Sequence, residues 1–290
     1  MESDRKGLII GNKYTLYDAL IKYLNEVTPS KRGAKRESVF IKKFINDIAF
    51  IGEPIASIKA SHFSLFRDER LKLVSASTVR RELTVLSSIY SKVIKEWGWC
   101  SVNPITNIDK PRLPKHRNLL ISKDEIEAIL NILGYKEGDA PTTKKQEIAY
   151  LFLLAIESAM RQGELLSLIY DSVFLDRRFV HLDKTKNGDT RDVPLTNRAV
   201  YLFEQILKND NEDKRLFTIS SASADALFRK YRNKLEINDL HFHDTRHEAI
   251  TRLSKKLGVL ELARMVGHRN ISQLMTYYSE TAESIASKLG

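Results

Sequence analysis

"RFVHLDKTKNGDTRDVPL", residues 178–195, breaks the rhythm of a chain that otherwise reads as helix after helix. "RFVHLDKTK" and "DTRDVPL" are short β-type runs. Between them stands Asn187-Gly188, a strong hairpin signal because both residues tolerate positive φ in a type I′ turn. Together with "SVFLD" (172–176) just upstream, they predict a small antiparallel sheet set inside a helical domain. The fold class that follows is mainly α with a small antiparallel β-sheet.

Helices surround this sheet. "SKDEIEAILNIL" (122–133) and "KKQEIAYLFLLAIESAM" (144–160) precede it, the second so apolar that burial on most sides is expected, and "RQGELLSL" (161–168) reads as a further helix start. "AVYLFEQIL", "SADALFRKYRNKL", "TRHEAITRLSKKL", "LELARMVG" and "TAESIASKL" follow it, all with helical spacing of apolar residues.

The first hundred residues carry no β signal. "TLYDALIKYLNEV" places Leu16, Leu20 and Leu24 behind a Thr15 N-cap, and "ESVFIKKFINDIAFI" repeats the pattern with Phe40, Phe44 and Ile48. "SASTVRRELTVLSSIYSKVIKEW" starts from a Ser77 cap, lines up Val79, Leu83, Leu86 and Tyr90, and carries Arg80 and Arg81 early in the helix. The stretch "NPITNIDKPRLPKHRN" (103–118) then breaks all periodicity with three prolines and several bases, and reads as an interdomain linker. A chain of 290 residues suits this division, since single cores commonly stop near about 100–200 residues.

Forty-seven Lys and Arg against 37 Asp and Glu give a net charge of +10, a bias toward polyanions such as nucleic acid. No window is long and apolar enough for a membrane span, and "MESDRKGLII" does not read as a signal peptide, so a cytoplasmic or nucleoid location is expected. The single cysteine, Cys100, excludes an intrachain disulfide and a cysteine-based metal cluster, and reads as a small buried apolar residue.

No glycine-rich nucleotide loop, Walker lysine or metalloprotease helix motif occurs. In "HFHDTRH" (241–247) His241, His243 and His247 lie close together, and on a helix His243 and His247 would share a face as metal ligands do, but the acid of a zinc-protease helix is missing. A second constellation is wider: Arg161 after the apolar helix, Lys186 before the Asn-Gly turn, His243 and Arg246 in "HDTR", His268 in "MVGHRN", and Tyr277 nine residues later. Taken singly these residues have ordinary uses: a salt bridge from Arg161 to Glu157 or Glu164, a solvated hairpin tip, a helix cap, packed aromatic rings.

Taken together and in this order, "AMRQGELL", "TKNGDTRDVPL", "HFHDTRHEAI", "MVGHRNI" and "MTYY" resemble the catalytic set of the tyrosine recombinase, or phage integrase, family, and some of these segments look like the shufflon-type DNA invertases within it. The resemblance runs from about residue 120 to the C-terminus, and the helical first part looks like the family's core-binding domain. It implies a helical (SAM-like) core-binding domain over 12–105, a basic linker over 106–119, a mixed α/β catalytic domain over 120–278, and a C-terminal helix over 279–290 that docks on a neighbouring protomer or on its own domain.

What the resemblance implies suits phosphoryl chemistry. Arg161, Arg246 and His268 would surround the nonbridging oxygens of a phosphodiester, a role for which planar guanidinium forks are better suited than lysine. Tyr277 would be the nucleophile, with His243 assisting proton transfer and Lys186 protonating the departing 5′ oxygen, Lys184 being the alternative for that role. Glu164 would orient basic groups. Tyr278, one residue past the family interval, would be a packing neighbour.

Arg81, with Arg80, Lys42 and Lys43, would touch DNA from the helical half, mostly at phosphates. The implied partners are double-stranded DNA with inverted half-sites, a homotetramer with a dimer at each site, and DNA-bending accessory proteins; neither a membrane nor any cofactor or metal is implied. The expected function is site-specific cleavage and rejoining of DNA for integration, excision or inversion. The alternatives are a noncatalytic DNA-binding protein on the same fold and a metal-dependent nuclease or transposase.

Overall fold

The structure is a computed structural model that describes residues 13–113, 120–183, 190–209, 213–268, 270–278, 283 and 286. The chain divides into two compact units, residues 1–116 and 117–290, each with its own apolar core.

The described part of the first unit is helical. Helix α1 (Leu16–Glu26) opens on a capping box in which Thr15 accepts from the Asp18 backbone and Asp18 accepts from the Thr15 backbone at 2.8 Å. Its buried face is Leu16, Ala19, Leu20 and Tyr23. In α2 (Ala34–Asp47) the buried line runs through Ile41 and Phe44 to Ile48, while Phe40 is only partly covered and stacks on Phe44. The expected stripe thus rotates by one residue, because steps of three and four, unlike a constant four, keep to one face of a 3.6-residue turn.

Helix α3 (Ala60–Leu73) is followed by α4 (Ala76–Lys92), whose cap is Ser75 and not Ser77. Ser75 holds the extended backbone that a cap needs, and its hydroxyl accepts from the Thr78 N–H, whereas Ser77 already lies within the helix. Val79, Leu83, Leu86 and Tyr90 are fully buried along one side of α4, as their spacing predicts.

Across the α3–α4 contact lies a charge pair that hydropathy cannot reveal. Arg70 makes a two-pronged bond to Glu82, at 2.9 and 2.8 Å, with side chains 7% and 1% exposed. Lys43 approaches the same carboxylate at 3.9 Å.

In the second unit α5 (Lys123–Leu133) begins on a Ser122–Glu125 capping box and ends at Gly134 with φ +72°. Helix α6 (Lys144–Ser158) is buried almost all round and packs against α5, the short α7 (Gln162–Leu166), α8 (Asn197–Leu207), α9 (Ser221–Lys234) and α10 (Asp244–Ser254). The sheet has the order β1 (Val173–Phe174), β2 (Phe179–Leu182), β3 (Arg191–Pro194), antiparallel throughout, with Val180 opposite Val193 and Leu182 opposite Arg191. The Asn187-Gly188 turn lies outside the described residues.

Helix α11 (Val259–Val266) packs on α10 and on β3 and stops at Gly267, φ +67°. Short 3-10 turns over Ile271–Gln273 and Met275–Tyr277 follow. The protein is mainly α with a small antiparallel sheet, and among the described residues no helix is long and apolar enough to cross a membrane.

Truncating Glu82 to alanine strands a buried guanidinium, which typically costs about 3–5 kcal/mol. Urea unfolding of the full chain should show Glu82→Ala losing stability on that scale. A loss under about 1 kcal/mol would mean that Arg70 finds water or another partner once Glu82 is gone.

Candidate active site

The site is built where four segments of the second unit meet: the end of α6, the strand β3, the start of α10 and the end of α11. Helix α6 terminates on Ala159, a buried residue with φ +55°. This left-handed turn re-aims the chain, so that Arg161 emerges as the residue before α7, and it leaves the Ala159 carbonyl facing Arg246, which donates to it.

Arg246 is 4% exposed. Its Nη2 donates to the Val266 carbonyl at 2.7 Å and to His268 Nε2 at 3.1 Å. Burial, with the Arg161 charge second, pulls its guanidinium down to about 9, which still leaves it cationic at neutral pH.

His268 is held the opposite way. Burial, then the charge of Arg246, lowers its imidazole to about 4, so the ring is neutral near pH 7. A guanidinium can only donate, so Nε2 must accept and the ring proton sits on Nδ1. That Nδ1 is buried and finds no hydrogen-bond partner among the described residues.

Glu164 ties the arginines together. It accepts from the Arg161 backbone and guanidinium, both at 2.8 Å, and from Arg191 through both oxygens, at 3.1 and 2.8 Å. Burial alone would raise the Glu164 carboxyl, but the bonds from Arg191 and Arg161 outweigh it and hold the group down at about 2. Arg191 also donates to the Met265 carbonyl at 3.1 Å, so a single strand residue joins the α7 carboxylate to the end of α11. A Cβ on Gly267 would lie 3.0 Å from Arg191 Nη1 and crowd that side chain, in addition to straining a backbone at φ +67°.

Met160, Arg161, Gln162, Asp225, Phe242, His243, Thr245 and Arg246 line an open recess of about 240 Å³. Gln162 spans its rim, donating to Asp225 and accepting from Ser221 at the start of α9. Fixed guanidinium donors in a recess of this size suit a phosphate group.

Tyr277 lies at the end of the last 3-10 turn, half-buried, with its hydroxyl 2.6 Å from His247 Nδ1. Burial raises its phenol above the ordinary value, against a lowering effect from Arg246. Tyr278 points elsewhere, donating to the Leu257 carbonyl at 2.8 Å.

The sequence model of the phage integrase family matches residues 120–284, and the model of the phage integrase N-terminal domain matches residues 17–112. A putative integrase/recombinase of Haemophilus influenzae is 36% identical over 277 residues, covering 95% of this chain and 90% of that protein. The chain belongs to the phage integrase family. It is a site-specific recombinase of the tyrosine class.

A shufflon-specific DNA recombinase of Escherichia coli is 33% identical over 290 residues, covering 96% of this chain and 72% of that protein. In fold the chain is similar to the Tn1549 transposon integrase in complex with circular intermediate DNA, with a TM-score of 0.75 at 18% identity over 95% of this chain and 99% of that one. It is also similar to a lambda integrase tetramer bound to a Holliday junction, with a TM-score of 0.71 at 15% identity over 91% and 77% of the two chains.

Of the residues that the sequence singles out for this recombinase, the structure gathers Arg161, Glu164, His243, Arg246 and His268 around the recess and its back wall. Lys186 and Lys184 lie outside the described residues, as does most of 279–290. In the first unit Lys42 and Arg81 are exposed, Lys43 leans toward Glu82, and Arg80 donates to the Pro111 carbonyl at 3.3 Å. His243 sits just ahead of α10 and not within it, and among the described residues no three His, Cys, Asp or Glu side chains group as a metal site.

Two residues of the site escape motif reading. Arg191 shares the inward face of β3 with buried Val193, and a charged residue at a core-facing position of a strand is the signal that marks it. His247 follows Arg246 directly, and nothing in its spacing links it to Tyr277.

A carboxylate depressed in the folded state contributes stability above its ordinary range and loses it as the pH falls toward the folded value. Wild type should therefore exceed Glu164→Gln in urea-unfolding stability at neutral pH. The gap should close between about pH 4.5 and pH 2, the range over which the carboxyl gains its proton. A gap independent of pH would show that the charge on Glu164 is not what holds the arginines.

Proposed function

We propose that this recombinase cuts each DNA strand by attack of Tyr277 on a phosphodiester, giving a 3′-phosphotyrosyl bond, then exchanges strands through a Holliday junction and rejoins them. The observation that carries the reading is the shared recess: Arg161 and Arg246 open onto one cavity, each fixed from behind by groups that are themselves fixed. A phosphorane-like transition state carries its extra charge on the nonbridging oxygens, and donors held in place beforehand stabilise it without reorganising. His268, neutral and with an Nδ1–H that meets no partner among the described residues, supplies another donor when a phosphoryl oxygen comes within reach.

His243 lines the same recess, and the resemblance gives it a part in proton transfer at the tyrosine. Lys186, with Lys184 as the alternative, delivers a proton to the leaving 5′ oxygen. Charge neutralisation by arginine makes a metal ion unnecessary, and covalent storage of the phosphoester bond makes a nucleotide cofactor unnecessary.

The helical first unit, residues 12–105 in this scheme, contacts phosphates through Arg81 and Lys42, with Lys43 and Arg80 as secondary contacts, and residues 106–119 connect it to the catalytic domain over 120–278. The assembly is a homotetramer on inverted half-sites, a dimer at each site, with the segment 279–290 docking on a neighbouring protomer and DNA-bending proteins assisting. The similarity to the shufflon-specific recombinase favours inversion among the possible outcomes. The protein then works in the cytoplasm, at the nucleoid.

Incubation in EDTA with a nicked duplex that traps covalent intermediates should give an adduct mapping to Tyr277, and Tyr277→Phe should give none. Arg161→Ala and Arg246→Ala should still bind DNA but cleave about 100- to 1,000-fold more slowly, the cost of losing one fixed oxyanion donor. An adduct that persists in Tyr277→Phe, or cleavage that needs divalent ions, would overturn the mechanism.

A further inference from the structure

Three tyrosines of the second unit end on a backbone carbonyl, Tyr150 on Asp139, Tyr170 on Asn209 and Tyr278 on Leu257, and Tyr135 ends on the Glu137 carboxylate. Tyr277 is different. Its hydroxyl lies 2.6 Å from the Nδ1 of His247, with the two rings tilted by 52° and their centroids 5.1 Å apart. Both partners are held from behind. The Tyr277 N–H donates to the carbonyl of fully buried Leu274, and His247 lies on α10 directly beside the buried Arg246.

A phenol that burial holds above its ordinary value does not ionise by itself near neutral pH, so its attack needs a base in contact with the proton. His268 is already committed through Nε2 to Arg246. The resemblance to the recombinase family assigns proton transfer to His243, which lines the recess where the phosphate oxygens are placed.

We infer that His247 is the general base of the cleavage step, taking the Tyr277 proton at Nδ1, and this rests on Tyr277 being the nucleophile. In the forward direction the phenol O–H bond breaks and an N–H bond forms on Nδ1, giving an imidazolium. The phenolate oxygen forms the new bond to phosphorus, and the bond from phosphorus to the 5′ oxygen breaks, that oxygen keeping the electron pair and taking a proton from the Lys186 ammonium. On rejoining, the 5′ hydroxyl returns its proton to the lysine, and the departing phenolate recovers its proton from the imidazolium. For this the neutral ring must carry its proton on Nε2, the tautomer that leaves Nδ1 free to accept.

His247→Gln separates this role from simple positioning, because the glutamine amide oxygen accepts a hydrogen bond from the phenol but cannot take its proton. Single-turnover adduct formation by the full-length protein on the nicked duplex is the measurement, with DNA affinity measured alongside. Wild type must first give an adduct at Tyr277; if it does not, the reading of Tyr277 as nucleophile fails and the inference falls with it.

Given that adduct, His247→Gln should bind DNA normally and form it about 100-fold more slowly, the lower end of the range for losing a general base. A fluorinated tyrosine at 277, whose phenol is more acidic, should restore at least about tenfold of that loss in the His247→Gln background, since less proton abstraction is then required. Adduct formation within about threefold of wild type would overturn the proposal. So would a slow variant that binds DNA but gains nothing from the fluorinated ring, which would mark His247 as a positioning residue. If His247→Gln proves unstable, His247→Asn is read in the same way.

Discussion

The second unit is organised around a guanidinium that has almost no access to water. Arg246 is 4% exposed, and its hydrogen bonds go to two backbone carbonyls and one imidazole nitrogen. A buried cation without a bonded carboxylate is tolerated only if fixed dipoles surround it. The dipoles come from segments far apart in sequence, and each is shaped to provide them: the left-handed turn at Ala159 presents one carbonyl, the end of α11 presents Val266, and the turn through Gly267 brings up His268. What looks like a set of separate motifs is one solvation shell.

The same economy governs the other arginines. Glu164 is shared by Arg161 and Arg191, so that two guanidiniums hold one deeply depressed carboxylate, and with Arg246 close by the excess charge stays positive. Arg191 makes this possible by reaching both Glu164 and the Met265 carbonyl. The strand that carries it leads directly from the hairpin bearing Lys186 in the sequence. Through Glu164, Arg191 thus braces Arg161, one of the donors that the proposed mechanism sets around the phosphate. The first unit uses the same device without chemistry, since Arg70 and Glu82 satisfy one another inside a helical core.

Much of this was legible from residues alone. Most helices, their order and the antiparallel sheet follow from period and caps, but helix α3 escapes that reading, Ser75 and not Ser77 caps α4, and Tyr23 and Ile41 take the places of Leu24 and Phe40 in the stripes of α1 and α2. Motif order singled out Arg161, Glu164, His243, Arg246, His268 and Tyr277 by residue type and spacing; the structure brings the first five together at the recess and its back wall and sets the Tyr277 hydroxyl against His247. Arg70, Glu82 and His247 have no such signal, and Arg191 has only its charge at a core-facing strand position. Their partners lie between 12 and 30 residues away, or at 27 and 74 in the case of Arg191, and only packing brings them into contact.

The adjacent tyrosines show how much a neighbouring position can matter. Both are partly covered, and both hydroxyls are hydrogen-bonded. Tyr278 donates to the Leu257 carbonyl, an acceptor that never takes a proton, and freeing that phenol would leave a carbonyl without its donor. Tyr277 is bonded to an imidazole nitrogen, which accepts a hydrogen bond or the proton itself, and Arg246 lowers its phenol while burial raises it. The Tyr277 hydroxyl thus faces a group able to receive its proton, whereas the Tyr278 hydroxyl does not. The pair is chemically identical in sequence, and what sets its members apart is the acceptor each one meets.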